Sequence, residues 1–409
     1  MKETEMKRVP KLRFPEFTDD WEQRKLGEIL EFHNGFNGGA DRYGAGIPLI
    51  SVMDILNNNF ITSENIRSRA DMNEIEFQRF KVEYGDVLFQ RSSENIEDAG
   101  TSNVYMDKHK NAVFGGFVIC GKKKAEYKPL FMRYELTSKN VRTQIISKAQ
   151  GAQHINVSQD TLQGVEISMP SQYEQEKIGV YFSNIDHLIT LHQRKLKKLN
   201  VLKKGVMQKL FSQEVRFKVD DGSEFPEWEK KPFGDVVSEF KVKTKVEDED
   251  TLLSCAINGM FLNSELFGHQ RGQSNIGYLK IKKGTLILSA QNLHLGNANV
   301  NLRFEHGIIS PAYKTYDIVG CSAEYMSQWA KWDMTKQFFY NATTVGASEC
   351  RRNVDWNMLY SQLFAVPCLA EQQKIADCLS SLDEVIEKQK ATLAAWEELK
   401  KGLLQQMFV

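Results

Sequence analysis

The sequence predicts an α+β chain built twice over: two similar mixed α/β units, each running into one long helix. Three observations carry this. Residues 170–189, PSQYEQEKIGVYFSNIDHLI, return at 367–386 as PCLAEQQKIADCLSSLDEVI. Apolar residues along each copy recur at alternating steps of four and three. Ahead of each copy, short β-branched and aromatic runs sit between Gly, Asn, Ser and Pro, the pattern of strands joined by polar turns.

The first unit, 1–168, opens with WEQRKLGEILEF (21–32), and its runs GDVLFQ and AVFGGFVIC read as strands. The first helix takes 169–212. The second unit, 213–365, opens with WEKKPFGDVVSEF (228–240), with the same Trp-to-Gly spacing as the first, and GTLILS and AYKTYDIV are its strands. YGDVLFQRSS (84–93) answers KGTLILSAQN (283–292), and INVSQDTLQGVEISMP (155–170) answers RNVDWNMLYSQLFAVP (352–367), placing Asn156 opposite Asn353. The second helix takes 366–409. The helical segments align without a gap and share 15 of 44 residues. This is an internal duplication.

Each helix carries a heptad seam. In the first it runs Ile178, Phe182, Ile185, Ile189, His192, Leu196, Leu199, Lys203, Val206 and Leu210. In the second it runs Ile375, Leu379, Leu382, Ile386, Gln389, Leu393, Trp396, Lys400, Leu403 and Met407. Such steps sustained over more than four heptads mark coiled-coil helices. A proline precedes each helix, and Glu174 or Glu371 stands in an early turn, where negative charge is favoured. The polar seam positions coincide, His192 with Gln389 and Lys203 with Lys400. A polar core position fixes register at some cost in stability, although long coiled coils also tolerate such residues. Each 33-residue seam makes a rod of about 50 Å, longer than the ~34–36 Å between half-sites one DNA turn apart.

The 409 residues balance 53 basic against 53 acidic side chains, which argues against gripping nucleic acid by charge alone. The balance is global and not local: 169–212 holds eight basic and three acidic residues and is clearly basic, whereas 367–409 holds five and seven. No apolar run approaches the roughly 18–20 residues of a membrane span, and the start MKETEMKRVP lacks a signal peptide's apolar centre. Six scattered cysteines form no C-x-x-C pair. A cytoplasmic chain with reduced thiols and no membrane contact is expected. Catalysis is not expected, because no G-x-x-x-x-G-K-[ST], no H-E-x-x-H and no pair of adjacent prolines occurs.

The pattern P-x-x-x-E-Q-x-K-I before a heptad helix ending in L-K-K-G, present twice, resembles the specificity subunits of type I restriction–modification enzymes. The openings LRFPEFTDDWEQRKLGEI and FPEWEKKPFGDVV agree, and the resemblance runs over roughly 13–409. It implies two target-recognition domains, each reading one half of a bipartite, asymmetric site in double-stranded DNA. It implies spacer helices that pack as an antiparallel coiled coil and set the gap between half-sites. It also implies assembly with two modification (methyltransferase) subunits and, for cleavage, restriction (translocase and nuclease) subunits. S-adenosylmethionine, ATP and Mg2+ would belong to those partners, with no metal or cofactor on this chain. The alternative is a coiled-coil scaffold or adaptor whose units bind proteins instead of DNA.

Base edges are read mainly by Arg on guanine and by Asn or Gln on adenine, so loops rich in those residues are the candidates. In the first unit these are Asn37 and Arg42; Gln90, Arg91, Ser92, Ser93 and Asn95; and Gln153 with His154. In the second they are Gln270 and Arg271; Gln291, Asn292 and His294; and Arg351 with Arg352. Ordinary solvated turns would show the same composition for backbone reasons. Arg91 and Arg351 or Arg352 are expected to read bases. Asn156 and Asn353, kept in both halves, are expected to be structural, because the two half-sites should differ.

Overall fold

The computed structural model describes residues 9–151, 153–267, 274–348 and 351–408. Its contacts divide the chain into two units, Met1–Arg194 with Ala391–Val409, and Lys195–Lys390.

In the first unit, strands β1 (Leu30–Asn34), β2 (Val87–Gln90), β3 (Ser102–Val104) and β4 (Val118–Lys123) form an antiparallel sheet in the order β1-β4-β2-β3. The central strand β2 is buried at every position, which is why its VLF run shows no polar alternation. A short helix, α1 (Pro129–Glu135), and the long α2 (Gln172–Phe211) follow. In the second unit β5 (Val237–Phe240), β6 (Leu286–Ser289), β7 (Ala298–Val300) and β8 (Tyr313–Ile318) take the order β5-β8-β6-β7. Helices α3 (Ala323–Ala330) and α4 (Leu369–Met407) follow. Adding four to each strand label converts one sheet into the other. The duplicated sequence is a duplicated topology.

The repeated phrase that opens each long helix has a local physical meaning. Gln175 is buried; its Nε2 donates to Pro170 O at 2.8 Å, while its Oε1 accepts from Lys128 N, at the start of α1, at 3.0 Å. Gln372 repeats this with Pro367 O at 2.8 Å and Ser322 N, at the start of α3, at 2.7 Å. Each glutamine thus ties its long helix to the first turn of the short helix beside it. Buried Glu174 receives two bonds from Arg13, at 2.7 and 2.8 Å, and buried Glu371 receives two from Arg216, at 3.1 and 2.8 Å. Lys177 meets Glu16, and Lys374 meets Asp220, clamping the segment that leads into each unit.

The repeated Asp and Lys are partners. Within the first unit Lys400 Nζ lies 2.6 Å from Asp186 Oδ1, and Tyr134 donates its hydroxyl to Asp186 Oδ2 at 2.7 Å. Within the second, Lys203 donates to both oxygens of Asp383, at 2.6 and 2.7 Å, and Gln328 adds a bond at 3.0 Å. Burial alone would raise the Asp383 pKa, but the bonds from Lys203 and Gln328 outweigh it and hold the carboxyl below its ordinary value. In each pair the early residue of one helix meets a late residue of the other, so α2 and α4 run antiparallel.

Each unit's core is closed by the end of the helix that belongs to the other half of the sequence. Phe408 packs on Trp21, Phe131 and Phe182, with ring centroids 6.3, 5.8 and 5.7 Å away. Phe211 packs on Tyr325 and Trp332 at 5.6 and 5.4 Å. Seam residues Ile178, Phe182, Ile185, Ile189, Ile375, Leu379 and Ile386 are buried, and so is the polar Gln389. His192, Leu196, Leu199, Leu382, Leu393 and Trp396 are half-buried. The His192 ring lies 6.5 Å from that of Trp396.

Candidate functional site

The sheet of each unit supports a cleft where loops from distant parts of the sequence meet. In the first unit its walls are the end of β2 with the loop after it, the Gly115–Gly116–Phe117 turn ahead of β4, and residues 49–56. Backbone pairing fixes these walls. Gly115 N donates to Ile50 O, Arg91 N to Phe117 O and Phe36 N to Phe114 O, at 3.0, 2.9 and 2.8 Å. Gly35 makes this possible: a Cβ there would lie 2.0 Å from the Gly115 carbonyl oxygen. The cleft encloses about 700 Å³.

Six residues expected from sequence to make contacts line this cleft: Asn37, Gln90, Ser92, Ser93, Asn95 and His154. Asn37, Asn95 and His154 are exposed, whereas Gln90 and Ser93 are buried. Gln90 Nε2 donates to Ser92 O at 2.9 Å, and Ser93 Oγ accepts from Asn95 N at 3.1 Å, so these two side chains shape the loop. Gln153 is exposed beside the cleft. Arg42 turns to Glu76 Oε2 and Asp71 O, both at 2.7 Å. Arg91 lines a neighbouring polar pocket of about 300 Å³ with Lys148, Gln150, Asn156 and Ser158.

The second unit places a cleft of about 490 Å³ at the corresponding site. Gln291, Asn292 and Ser289 line it at the end of β6, Ser310, Ala312 and Tyr313 ahead of β8, and Ser254, Cys255 and Ala256 on the third wall. Gln291 and Asn292 are exposed. His294 is buried, and burial, then nearby Arg352 and Lys336, lower its pKa. The Arg352 guanidinium is held by Thr343 Oγ1 at 2.7 Å and Thr343 O at 2.8 Å, and lies 4.1 Å from the Tyr340 ring centre. Gln270, Arg271 and the side chain of Arg351 lie outside the described residues.

Sequence reasoning missed the apolar part of the first cleft. Phe117 is 72% exposed and Met53 61% exposed, and both line it. A search by Arg, Asn and Gln passes over them. The signal was the GGF turn inside a β run, which carries an aromatic side chain outward where the chain passes from one sheet to the other.

Among the described residues no cluster of three or more His, Cys, Asp or Glu side chains could hold a metal ion, and no helix is long and apolar enough to cross a membrane.

Residues 18–201 match the family described as type I restriction modification DNA specificity domain. The chain is also similar to two proteins of Methanocaldococcus jannaschii. The putative type I restriction enzyme MjaX specificity subunit is 28% identical over 229 residues, 54% of this chain and 53% of that protein, so this match spans about half the relative's length. The type I restriction enzyme MjaVIII specificity subunit is 22% identical over 427 aligned residues, 98% of this chain and 95% of the relative. In fold, the chain is similar to the type I restriction–modification S subunit from M. genitalium, with TM-score 0.58, 14% identity and coverage of 98% and 99%. A chain from a structure on complex assembly and conformational transition of the type I R-M system gives 0.56, 12%, 95% and 97%. The similarity to the MjaVIII specificity subunit runs along nearly the whole chain, and the family match covers the first cleft and α2 as far as residue 201.

Proposed function

We propose that this chain is the DNA-reading, non-catalytic subunit of a type I restriction–modification complex, each of its two clefts reading one half of an interrupted site. The observation that carries this is the pair of clefts: the same frame twice, with different side chains at the reading positions. A protein that read one motif twice would keep those side chains alike. The target-recognition domains correspond to 1–168 and 213–365, and the helices of 169–212 and 366–409 set the gap. Their lengths of 40 and 39 residues correspond to about 60 Å each.

In this reading two modification subunits and the restriction subunits supply S-adenosylmethionine, ATP and Mg2+ chemistry in the cytoplasm. The chain's neutral charge leaves little non-specific attraction to phosphates, so tight binding belongs to the complex. The experiment is retention of a random duplex library by the chain with its modification subunits and by the chain alone. Enrichment of an asymmetric interrupted motif by the complex is the expected result. No retention by the chain alone and no sequence preference in the complex would favour the scaffold alternative.

A further inference from the structure

The strand pairings put the two clefts in register. Leu49 sits opposite Val113 in a parallel pair, and Leu252 opposite Ile308, so Ser51, Val52 and Met53 correspond to Ser254, Cys255 and Ala256. The turn 115–118 corresponds to 310–313, which aligns Phe117 with Ala312. The end of β2 aligns with the end of β6, so Ser92 and Ser93 match Gln291 and Asn292. The contrast is consistent. Where the first cleft has two large apolar side chains and two hydroxyls, the second has two alanines and two amides.

An exposed phenylalanine and an exposed methionine lining one cleft leave apolar surface in water, a state that favours a partner. The partner is not a phosphate: no Lys or Arg lines the first cleft, and Glu94 and Asp98 do. The part of DNA that offers apolar surface in the major groove is the thymine C5-methyl group, whereas adenine offers the donor–acceptor pair that Asn or Gln meets with two hydrogen bonds.

From this geometry we infer that Phe117 and Met53 are specificity-determining residues that read a thymine methyl in the first half-site, while Gln291 and Asn292 read an adenine in the second. This rests on the DNA-reading function proposed above. Ala256 and Ala312 leave room for the amides to reach a base edge, and the bulk of Phe117 excludes that mode from the first cleft. The two half-sites therefore differ because four aligned positions differ.

The test is single-molecule methylation sequencing of host cells that carry the full chain and its partners, with Phe117→Ala, Met53→Ala or Asn292→Ala introduced at the native gene. All three side chains are exposed, and thermal unfolding of each variant checks the fold. Phe117→Ala and Met53→Ala are expected to relax one thymine position of the first half-site by about tenfold, the effect of losing a good base contact, with the second half-site unchanged. Asn292→Ala is expected to relax an adenine in the second half-site alone. Replacing that thymine by uracil in a synthetic site should weaken the wild-type complex and leave the Phe117→Ala complex unaffected. A motif unchanged in the variants, at full methylation, would overturn the inference while leaving the DNA-reading function intact. Absence of any methylation that depends on the wild-type chain would overturn both.

Discussion

The two units share a frame and differ in how completely it is satisfied. In the second, Glu371 accepts from Arg216 and also from Trp228 Nε1, at 3.0 Å. In the first, Glu174 accepts from Arg13, and the indole nitrogen of the equivalent Trp21 is buried without a hydrogen-bond partner. At the next equivalent pair, the first unit buries the carboxyl of Glu135, with one oxygen on Ser168 N at 2.9 Å and the other unpartnered. The second unit has Trp329 there, packed on Phe364 at 4.5 Å. The lesson is that duplication conserves the anchors that hold the helices, while the groups packed around them drift toward tighter or looser solutions. The first unit carries the looser one.

That comparison can be broken at several points. The largest effect should come from Glu371→Ala, which takes the carboxylate from Arg216, leaving it only Phe225 O, Pro226 O and Glu227, and strands the Trp228 indole N–H. A loss of about 3–5 kcal/mol is expected, exceeding that of Glu174→Ala by about 1–2 kcal/mol, read from denaturant unfolding of the full chain. Equal losses would show that the indole bond adds nothing.

Glu135 gives a pH signature to the first unit alone. Burial pushes its pKa up to about 8, against a lowering by the bond from Ser168 N. Between the ordinary carboxyl range and about pH 8 the folded protein keeps a proton that the unfolded chain has released. Stability therefore falls as pH rises through that window, by up to about 1.4 kcal/mol per pH unit, and levels off above it. Glu135→Gln should remove this slope between pH 5 and pH 9. A slope that survives the substitution would place its origin elsewhere.

Smaller effects sharpen the contrast. Trp228→Phe should cost about 1–3 kcal/mol more than Trp21→Phe, because only the former leaves a carboxylate short of a bond. Arg91→Ala, beside Lys148 in the polar pocket, should weaken DNA binding by the complex at every sequence and lower the salt slope by about 1. A changed base at one position would instead make Arg91 a base reader.

The frame was legible in the sequence because its anchors are side chains that must recur wherever the same contact recurs. Glu174, Gln175, Asp186, Lys203 and their copies each hold a partner that is itself duplicated, and so the text repeats. Heptad spacing gave the helices for the same reason. The clefts were legible only in part. Polar loops such as QRSSEN pointed to the right wall, but whether a residue in such a loop faces out depends on strand pairing across long separations. That is why Gln90, Ser93 and His294 are buried and Arg352 is held by Thr343. Met53 and Phe117 escaped notice because apolar residues in a strand-rich segment are ordinarily core; the turn before β4 exposes Phe117, and the outer face of the short helix Val52–Asn57 exposes Met53.

Two unlike clefts stand on one repeated frame. The most direct test of their function is a map of methylated bases in the host with and without this gene. The account predicts an asymmetric motif, interrupted by unspecified bases, that vanishes with the gene. An uninterrupted motif, or a map indifferent to the gene, would contradict it.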